Sequence, residues 1–244
     1  MKQDVLQALV EADSEGRTVV VVRGLTDGAQ FLVDPGGAFT LQDGVRRSVD
    51  TEIAGELLAR SREALARDGA QAAEIAGQRY LIQTLSPPPR LLIVGAVHIA
   101  QKLTLMARLA GYDVRLLDPR AAFASAERFP DVEIINEWPQ EVMPGLSLDA
   151  RSAVVTLSHD AKIDEPALQA ALESDAFYIG ALGSKRNHEK RLERLGASGF
   201  DDAALARIHG PIGLPLGGRS PAEIAIAILA EMTQARYQPP GQEQ

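Results

Sequence analysis

The sequence predicts a two-part α/β protein, with a doubly wound, largely parallel sheet in its C-terminal part and a small α+β domain before it. Three observations carry this reading. After residue 90, short apolar runs alternate with stretches of helical length, the pattern of right-handed βαβ crossovers and a sheet covered on both faces. One run, Leu91-Leu92-Ile93-Val94, stops at Gly95 and passes at once into an amphipathic segment, so a strand turns sharply into a helix. Ser86-Pro87-Pro88-Pro89 separates the two parts, since prolines remove backbone donors and favour extended chain. The expected division is an N-terminal domain over residues 1–85, a linker over 86–90 and a Rossmann-like domain over 91–238.

In the first part, Thr18-Val19-Val20-Val21-Val22 reads as a strand. Gln30-Phe31-Leu32-Val33 reads as another, closed by a turn at Asp34-Pro35-Gly36-Gly37. Apolar residues at Ile53, Leu57, Leu58 and Leu65 have helical spacing. Arg79 to Leu85 forms a strand that pairs with Ala73 to Ala76 across Gly77-Gln78. Past the linker, strand 91–94 leads to a helix near 98–110 that Gly111 stops. Strands are expected at 113–117, 132–135, 153–157 and 176–179, and helices near 164–173, 185–195 and 221–235. The last helix opens with Ser220, Pro221 and Glu223, the N-cap, N1 and N3 of a capping box.

Composition narrows the function. The 244 residues include 25 Lys+Arg against 33 Asp+Glu, a formal net charge of −8, which disfavours a nucleic-acid partner. The absence of cysteine removes disulfides, thiolate metal sites and a cysteine nucleophile. No apolar run approaches the roughly 20 residues of a membrane span, and the N-terminus lacks the apolar core of a signal peptide. A cytoplasmic protein is expected. Neither Gly-x-Ser-x-Gly nor a P-loop is present, so serine-hydrolase and P-loop phosphoryl-transfer chemistry lose support.

In a parallel sheet, ligands bind beyond the carboxyl ends of the strands. Four polar clusters are expected there: Gly95-Ala96-Val97-His98, Asp118-Pro119-Arg120, Ser158-His159-Asp160 and Gly183-Ser184-Lys185-Arg186. The Gly95 turn is expected to aim unpaired N–H groups and a positive helix end at an anion. Val97 stands where a dinucleotide fingerprint has its second glycine, and Ala100 stands at the third. Asp118, about 20 residues beyond Gly95, fits the position of a ribose-binding carboxylate or of a turn residue, and Arg120 that of a 2′-phosphate partner. The pattern does not separate NAD from NADP. Gly183 to Arg186 suits an oxyanion, or a capped helix start with two solvated cations. His159 suits a general base or a metal ligand, His98 is expected to open the first crossover helix near the same crevice, and both also suit a polar crevice lining. His98, His159, His188 and His209 lack the spacing of a local metal motif.

Taken in order, several blocks resemble the C-terminal domain of the XdhC/CoxI family. They are Gly95-Ala96-Val97-His98-Ile99-Ala100, Gly111-Tyr112-Asp113-Val114 with Asp118-Pro119-Arg120, and Phe123-Ala124 with Arg128-Phe129-Pro130. Leu157-Ser158-His159-Asp160, Tyr178 through Arg186, His209 through Leu214 and Ser220 through Ala225 continue the series. The resemblance implies an accessory protein for molybdenum hydroxylases of the xanthine or carbon monoxide dehydrogenase type. Such a protein binds molybdenum cofactor, as molybdopterin or its dinucleotide form, and delivers it to an apo-enzyme alongside other maturation proteins. On this reading the chain is a cofactor chaperone more than a turnover enzyme. Relatives commonly carry a glycine-rich N-terminal motif with cysteine; here Gly36, Gly37 and Gly44 stand in that region without one. The alternatives are an NAD(P)- or flavin-dependent oxidoreductase with His159 as acid–base, and a nucleotide-sensing module. A homodimer is expected from the frequency of two-fold assemblies alone.

Overall fold

The computed structural model describes residues 2–34, 37–42, 45–49, 51–67 and 69–237. It divides into two compact units, Met1–Pro87 and Pro88–Gln244. Pro35 and Gly36 of the expected turn lie outside the described residues, as do Gly44 and residue 238.

The first unit contains α1 (Gln3–Ser14), β1 (Val19–Gly24), β2 (Gln30–Asp34), β3 (Gly37–Gln42), β4 (Val45–Ser48), α2 (Thr51–Arg67), β5 (Ala70–Ile75) and β6 (Gln78–Leu85). The strands form one antiparallel sheet in the order β4-β3-β2-β1-β6-β5. Strand residues alternate between faces, and the valine run of β1 shows why it is apolar throughout. Val20 and Val22 join Leu57 of α2 in one core, whereas Val19 and Val21 join Val5 and Ala12 of α1 in another. The expected strands and helix are present, and β5 pairs with β6 across Ala76-Gly77. Three elements were not expected: α1, β3 and β4. The packed face of α1 is narrow, with only Val5 and Ala12 buried, and Leu6 and Val10 left exposed.

The second unit contains β7 (Arg90–Val94), α3 (His98–Leu109), β8 (Asp113–Leu117), β9 (Glu133–Ile135), α4 (Pro139–Val142) with a 3₁₀ turn, and β10 (Ser152–Thr156). It continues with α5 (Ala161–Leu172), β11 (Tyr178–Ala181), α6 (Lys185–Ala197), α7 (Asp202–Leu205), β12 (Ile208–His209) and α8 (Pro221–Tyr237). The order β12-β11-β10-β7-β8-β9 is wholly parallel. It is doubly wound, with β7 central and the chain reversing its direction of growth between β7 and β10.

Both faces are covered, which explains the continuous apolar strands. Leu91, Ile93, Val114 and Leu116 pack with Leu103 of α3 and Ile228 of α8. Leu92, Val94, Val154 and Ile179 pack with Leu168 of α5 and Leu195 of α6. The unexpected α4, α7 and β12 are two to four residues long, too short to show periodicity. The capping box at α8 is reciprocal: Glu223 N–H donates to Ser220 Oγ at 3.3 Å, and Ser220 N–H to Glu223 Oε2 at 2.9 Å. Gly111 follows α3 at φ +85°, and its N–H donates to Arg108 O.

Gly95 is held at φ +107°, and a Cβ there would lie 2.6 Å from Ser158 N. Gly111 has open space around its missing side chain. Gly111→Ala is therefore expected to cost about 1–2 kcal/mol, the left-handed backbone penalty. Gly95→Ala should cost distinctly more, because β7 and β10 must separate as well. Denaturant melts of both variants check this; equal losses would remove the packing role of Gly95.

Candidate functional site

At the switch point between β7 and β10 the Gly95 turn meets Asp118 and Ser158, while Gly183 to Arg186 follow β11, one strand beyond β10. The Gly95 turn is seated on the backbone of Ser158. The expectation of unpaired turn donors is corrected here. Gly95 N–H donates to Leu117 O at 2.9 Å, and Val97 N–H donates to Gly95 O at 3.0 Å. Ala96 N–H donates to Asp118 Oδ2 at 2.7 Å. With Val97 at the second fingerprint position the turn closes on itself, and the neighbouring strand supplies the remaining acceptors. The open end belongs to α3, whose N-cap Val97 supplies no side-chain acceptor. His98, its first residue, is exposed.

Asp118 is completely buried. Its Oδ1 accepts from Arg120 N at 3.0 Å and Arg120 Nε at 2.9 Å, and its Oδ2 accepts from Arg120 Nη2 at 2.8 Å besides Ala96 N. A carboxylate offers about four lone-pair sites, and protein donors take all four. Burial pushes the carboxyl pKa up, but the Arg120 and Ala96 hydrogen bonds outweigh it and hold it below the ordinary aspartate range. As placed, Asp118 orders Ala96 and Arg120 and leaves no lone pair for a ribose hydroxyl. The Arg120 guanidinium lies 4.8 Å from the Phe123 ring centroid and is about one-third exposed. Arg128, which in the sequence stands out only within the Arg128-Phe129-Pro130 block, donates to Ala96 O at 3.1 Å. Ala96 is thus gripped from both sides.

At the end of β10, Ser158 N–H and Oγ–H both donate to Asp164 Oδ1, at 3.2 and 2.7 Å. Asp160 caps α5, accepting from Lys162 N at 3.0 Å. His159 between them is exposed and held at φ +62°. At the end of β11, Ser184 caps α6 by accepting from Asn187 N at 3.2 Å. Lys185 and Arg186 lie in solvent.

The cation turned inward is Arg191, only 6 % exposed, whose Nη2 donates to Leu182 O at 2.9 Å. It lines a cleft of about 230 Å³ with His159, Asp164, Leu182, Asn187 and Lys190. Sequence reading missed Asp164 and Arg191. The available signal was spacing, since Arg191 stands one helical turn before Leu195, the buried leucine of α6. Burial holds the Asp164 carboxyl above the ordinary range despite its Ser158 hydrogen bonds and the nearby Arg191 and His159.

A second polar cluster closes the β12 edge. Tyr178 OH donates to Glu231, Gly213 N–H donates to its Oε2 at 2.8 Å, and His209 Nδ1 lies 3.4 Å from its Oε1. Among the described residues no group of three His, Asp or Glu is placed to hold a metal ion, and no helix is long and apolar enough to cross a membrane.

Comparison with known proteins gives a consistent result. The sequence profile of the XdhC Rossmann domain matches residues 91–232. The chain is 33 % identical over 150 residues to the molybdenum cofactor insertion chaperone PaoD of Escherichia coli K12, covering 62 % of this chain and 41 % of PaoD. It is 30 % identical over 156 residues to a probable xanthine dehydrogenase subunit of Bacillus subtilis 168, covering 64 % and 45 % of the two chains. It is also 30 % identical over 153 residues to the uncharacterized protein YqeB of E. coli K12, covering 63 % and 28 %. The aligned part is less than half of each of these relatives. A crystal structure described as a xanthine dehydrogenase from Bacillus halodurans superimposes with a TM-score of 0.68 over 95 % of this chain and 66 % of its own, at 23 % identity, a likeness of fold.

The two carboxylates predict opposite pH behaviour. Asp118 has a depressed folded pKa, so its contribution is present above the ordinary value of 3.8 and lost as pH falls through the lower folded value. Asp118→Asn should cost about 2–4 kcal/mol near neutrality, with the deficit shrinking in acid. Asp164 has a raised folded pKa, so its ionisation costs stability as pH rises from 3.8 through the folded value. Asp164→Asn should therefore gain on the unsubstituted protein over that rise. Melting temperatures across the acid-to-neutral range test both signs, and parallel curves would overturn them.

Proposed function

This chain belongs to the XdhC family, and from that membership we propose that it binds molybdenum cofactor at the switch-point crevice and passes it to an apo molybdenum hydroxylase. The observation that carries the reading is the Asp118–Ala96–Arg120 arrangement in a domain akin to that of a cofactor insertion chaperone. It presents a fixed guanidinium and an uncapped helix start at one crevice, a fit for a ligand with an anionic end. The proposed contacts are the α3 start at Val97 and His98, Arg120, Ser158, His159 and the backbone of Gly183-Ser184. Asp118 acts as a positioning residue, Gly95 and Ala96 shape the floor, and Asp160 holds the neighbouring helix start.

The donor set suits the organic part of the cofactor. With no cysteine in the sequence the chain offers no thiolate to molybdenum, so its residues would hold the cofactor by its organic part. When bound, the cofactor supplies the redox chemistry of the recipient enzyme; the chain's task is to hold it and shield it from water. Apo hydroxylase and other maturation proteins are the proposed partners, and the cytoplasm the proposed compartment. Whether the cargo is molybdopterin or its dinucleotide form follows from the same test.

The NAD(P) or FAD oxidoreductase reading is weakened by the same geometry. The carboxylate that would take the ribose hydroxyls is saturated.

The test incubates the purified chain with cofactor released from a molybdoenzyme, separates the complex by gel filtration and identifies the retained pterin by fluorescence after oxidation. Retention of pterin, and activation of an apo hydroxylase by the loaded chain, are expected; retention of NAD(P) or FAD instead would overturn the proposal. Arg120→Ala should weaken pterin binding by about 1–3 kcal/mol, the range for a charged hydrogen-bond partner. Unchanged retention by that variant would move the site away from the β8 end.

A further inference from the structure

The cleft between the β10–α5 turn and α6 contains a buried arginine that the protein leaves half used. Arg191 spends Nη2 on Leu182 O, while its Nη1 is buried without a hydrogen-bond partner. Facing it, Asp164 spends Oδ1 on Ser158, while its buried Oδ2 has none; Arg191 Nη2 and Asp164 Oδ2 stand 4.0 Å apart. A buried donor and a buried acceptor, each unsatisfied, cost free energy unless something enters to meet them.

Size and charge say what enters. The cleft of about 230 Å³ holds several waters at about 30 Å³ each, so a single bridging water does not fill it. Arg194 is neutralised by Glu165, its Nε 2.6 Å from Oε1. Among the described residues no ion pair engages Lys190, which lines the cleft beside Asn187 and His159. The groups facing Asp164 are Ser158 and His159 from the β10–α5 turn and Arg191 from α6, and the field of Arg120 reaches it from the end of β8. The balance is cationic, with one carboxylate left to accept a proton.

We propose that this cleft is a subsite for a tetrahedral oxyanion, a phosphate, gripped by Arg191 and Lys190 and sharing one proton with Asp164. The bound form is a monoanion: its P–OH donates to Asp164 Oδ2, and its anionic oxygens accept from Arg191 Nη1 and Lys190. No bond is made or broken. The subsite stands on the cleft itself and rests on the proposed function only in naming the source of the phosphate, which is the phosphate of molybdenum cofactor. The exposed Lys185 and Arg186, the pair that sequence reading selects, are displaced from this role by Lys190 and Arg191.

The experiment is calorimetry of the full chain with inorganic phosphate and with sulfate, at about pH 6 and about pH 8, on either side of the second ionisation of inorganic phosphate. Saturable phosphate binding in the millimolar range or tighter is expected, stronger at the lower pH. Sulfate, which carries no proton, should bind more weakly. Arg191→Lys should lose about tenfold in affinity, the worth of one charge-assisted hydrogen bond. Lys190→Ala, at an exposed position that does not endanger folding, should lose several-fold. Asp164→Asn should bind phosphate and sulfate alike and lose most of the pH dependence.

Absence of saturable binding, or unchanged affinity in both cation variants, overturns the subsite and leaves water as the partner of Arg191. Loss confined to Lys185→Ala and Arg186→Ala puts the anion on the exposed loop and overturns it equally. Competition between inorganic phosphate and the intact cofactor, but not a dephosphorylated pterin, identifies the cofactor as the source. Pterin retention that phosphate and both cation variants leave untouched sinks the subsite alone. Phosphate binding without pterin retention sinks the cofactor reading alone.

Discussion

The crevice depends on one close approach, the backbone of Gly95 against the backbone of Ser158. A Cβ at residue 95 would lie 2.6 Å from Ser158 N and 2.9 Å from Ser158 Cα, distances no side chain tolerates. The absence of that one carbon lets the ends of β7 and β10 close up where the sheet reverses its winding. Everything polar in the site is then referred to this contact. Asp118 and Arg128 fix Ala96 on one side of it, and Ser158 carries Asp164 on the other.

The Gly95 turn changes what a dinucleotide-like pattern means in this chain. In the usual arrangement the glycine loop lends its N–H groups to a pyrophosphate and the acidic residue lends its oxygens to a ribose. Here the acidic residue takes the loop N–H itself, and an arginine two positions on covers the remaining lone pairs. Burying Asp118 completely is tolerable only because each lone pair is met by a donor, two from backbone and two from the Arg120 side chain. A site built this way offers a ligand cationic and helix-end donors rather than free carboxylate acceptors. That favours recognition through an anionic group over recognition of sugar hydroxyls.

Much of this was legible in the sequence, and the boundary of legibility is physical. The β7–Gly95–α3 turn, the parallel strands and the α8 capping box follow from local rules of burial, glycine and side-chain capping, and residues within a few positions determine them. The sequence also brings Asp118, Ser158, His159 and Ser184 to one edge of the sheet, because parallel topology puts every strand's carboxyl end there. What it does not display is lone-pair accounting. Whether Asp118 faces a ribose or Ala96 depends on a partner 22 positions away in sequence. The same limit hid Asp164. The cations of α6 divide for a different reason: the helix is so charged that adjacent Lys185-Arg186 stands out in the sequence, while the buried cation is the one in step with Leu195.

Two carboxylates in one crevice are pushed in opposite directions, and the cause is the number of donors each receives. Asp118 meets four and is held ionised; Asp164 receives two on one oxygen, none on the other, and is buried where its charge is poorly met. The first is therefore a fixed part of the frame, and the second is the group to which the proposed subsite assigns a shared proton. Around them the chain carries a formal charge of −8, so bulk anions are repelled from its surface. Lys190 and Arg191 gather opposite charge in a cleft where low-dielectric walls strengthen it. On the proposed reading an anion is held only where it satisfies the geometry, so that an acidic exterior with a cationic crevice selects a ligand by fit instead of by charge alone.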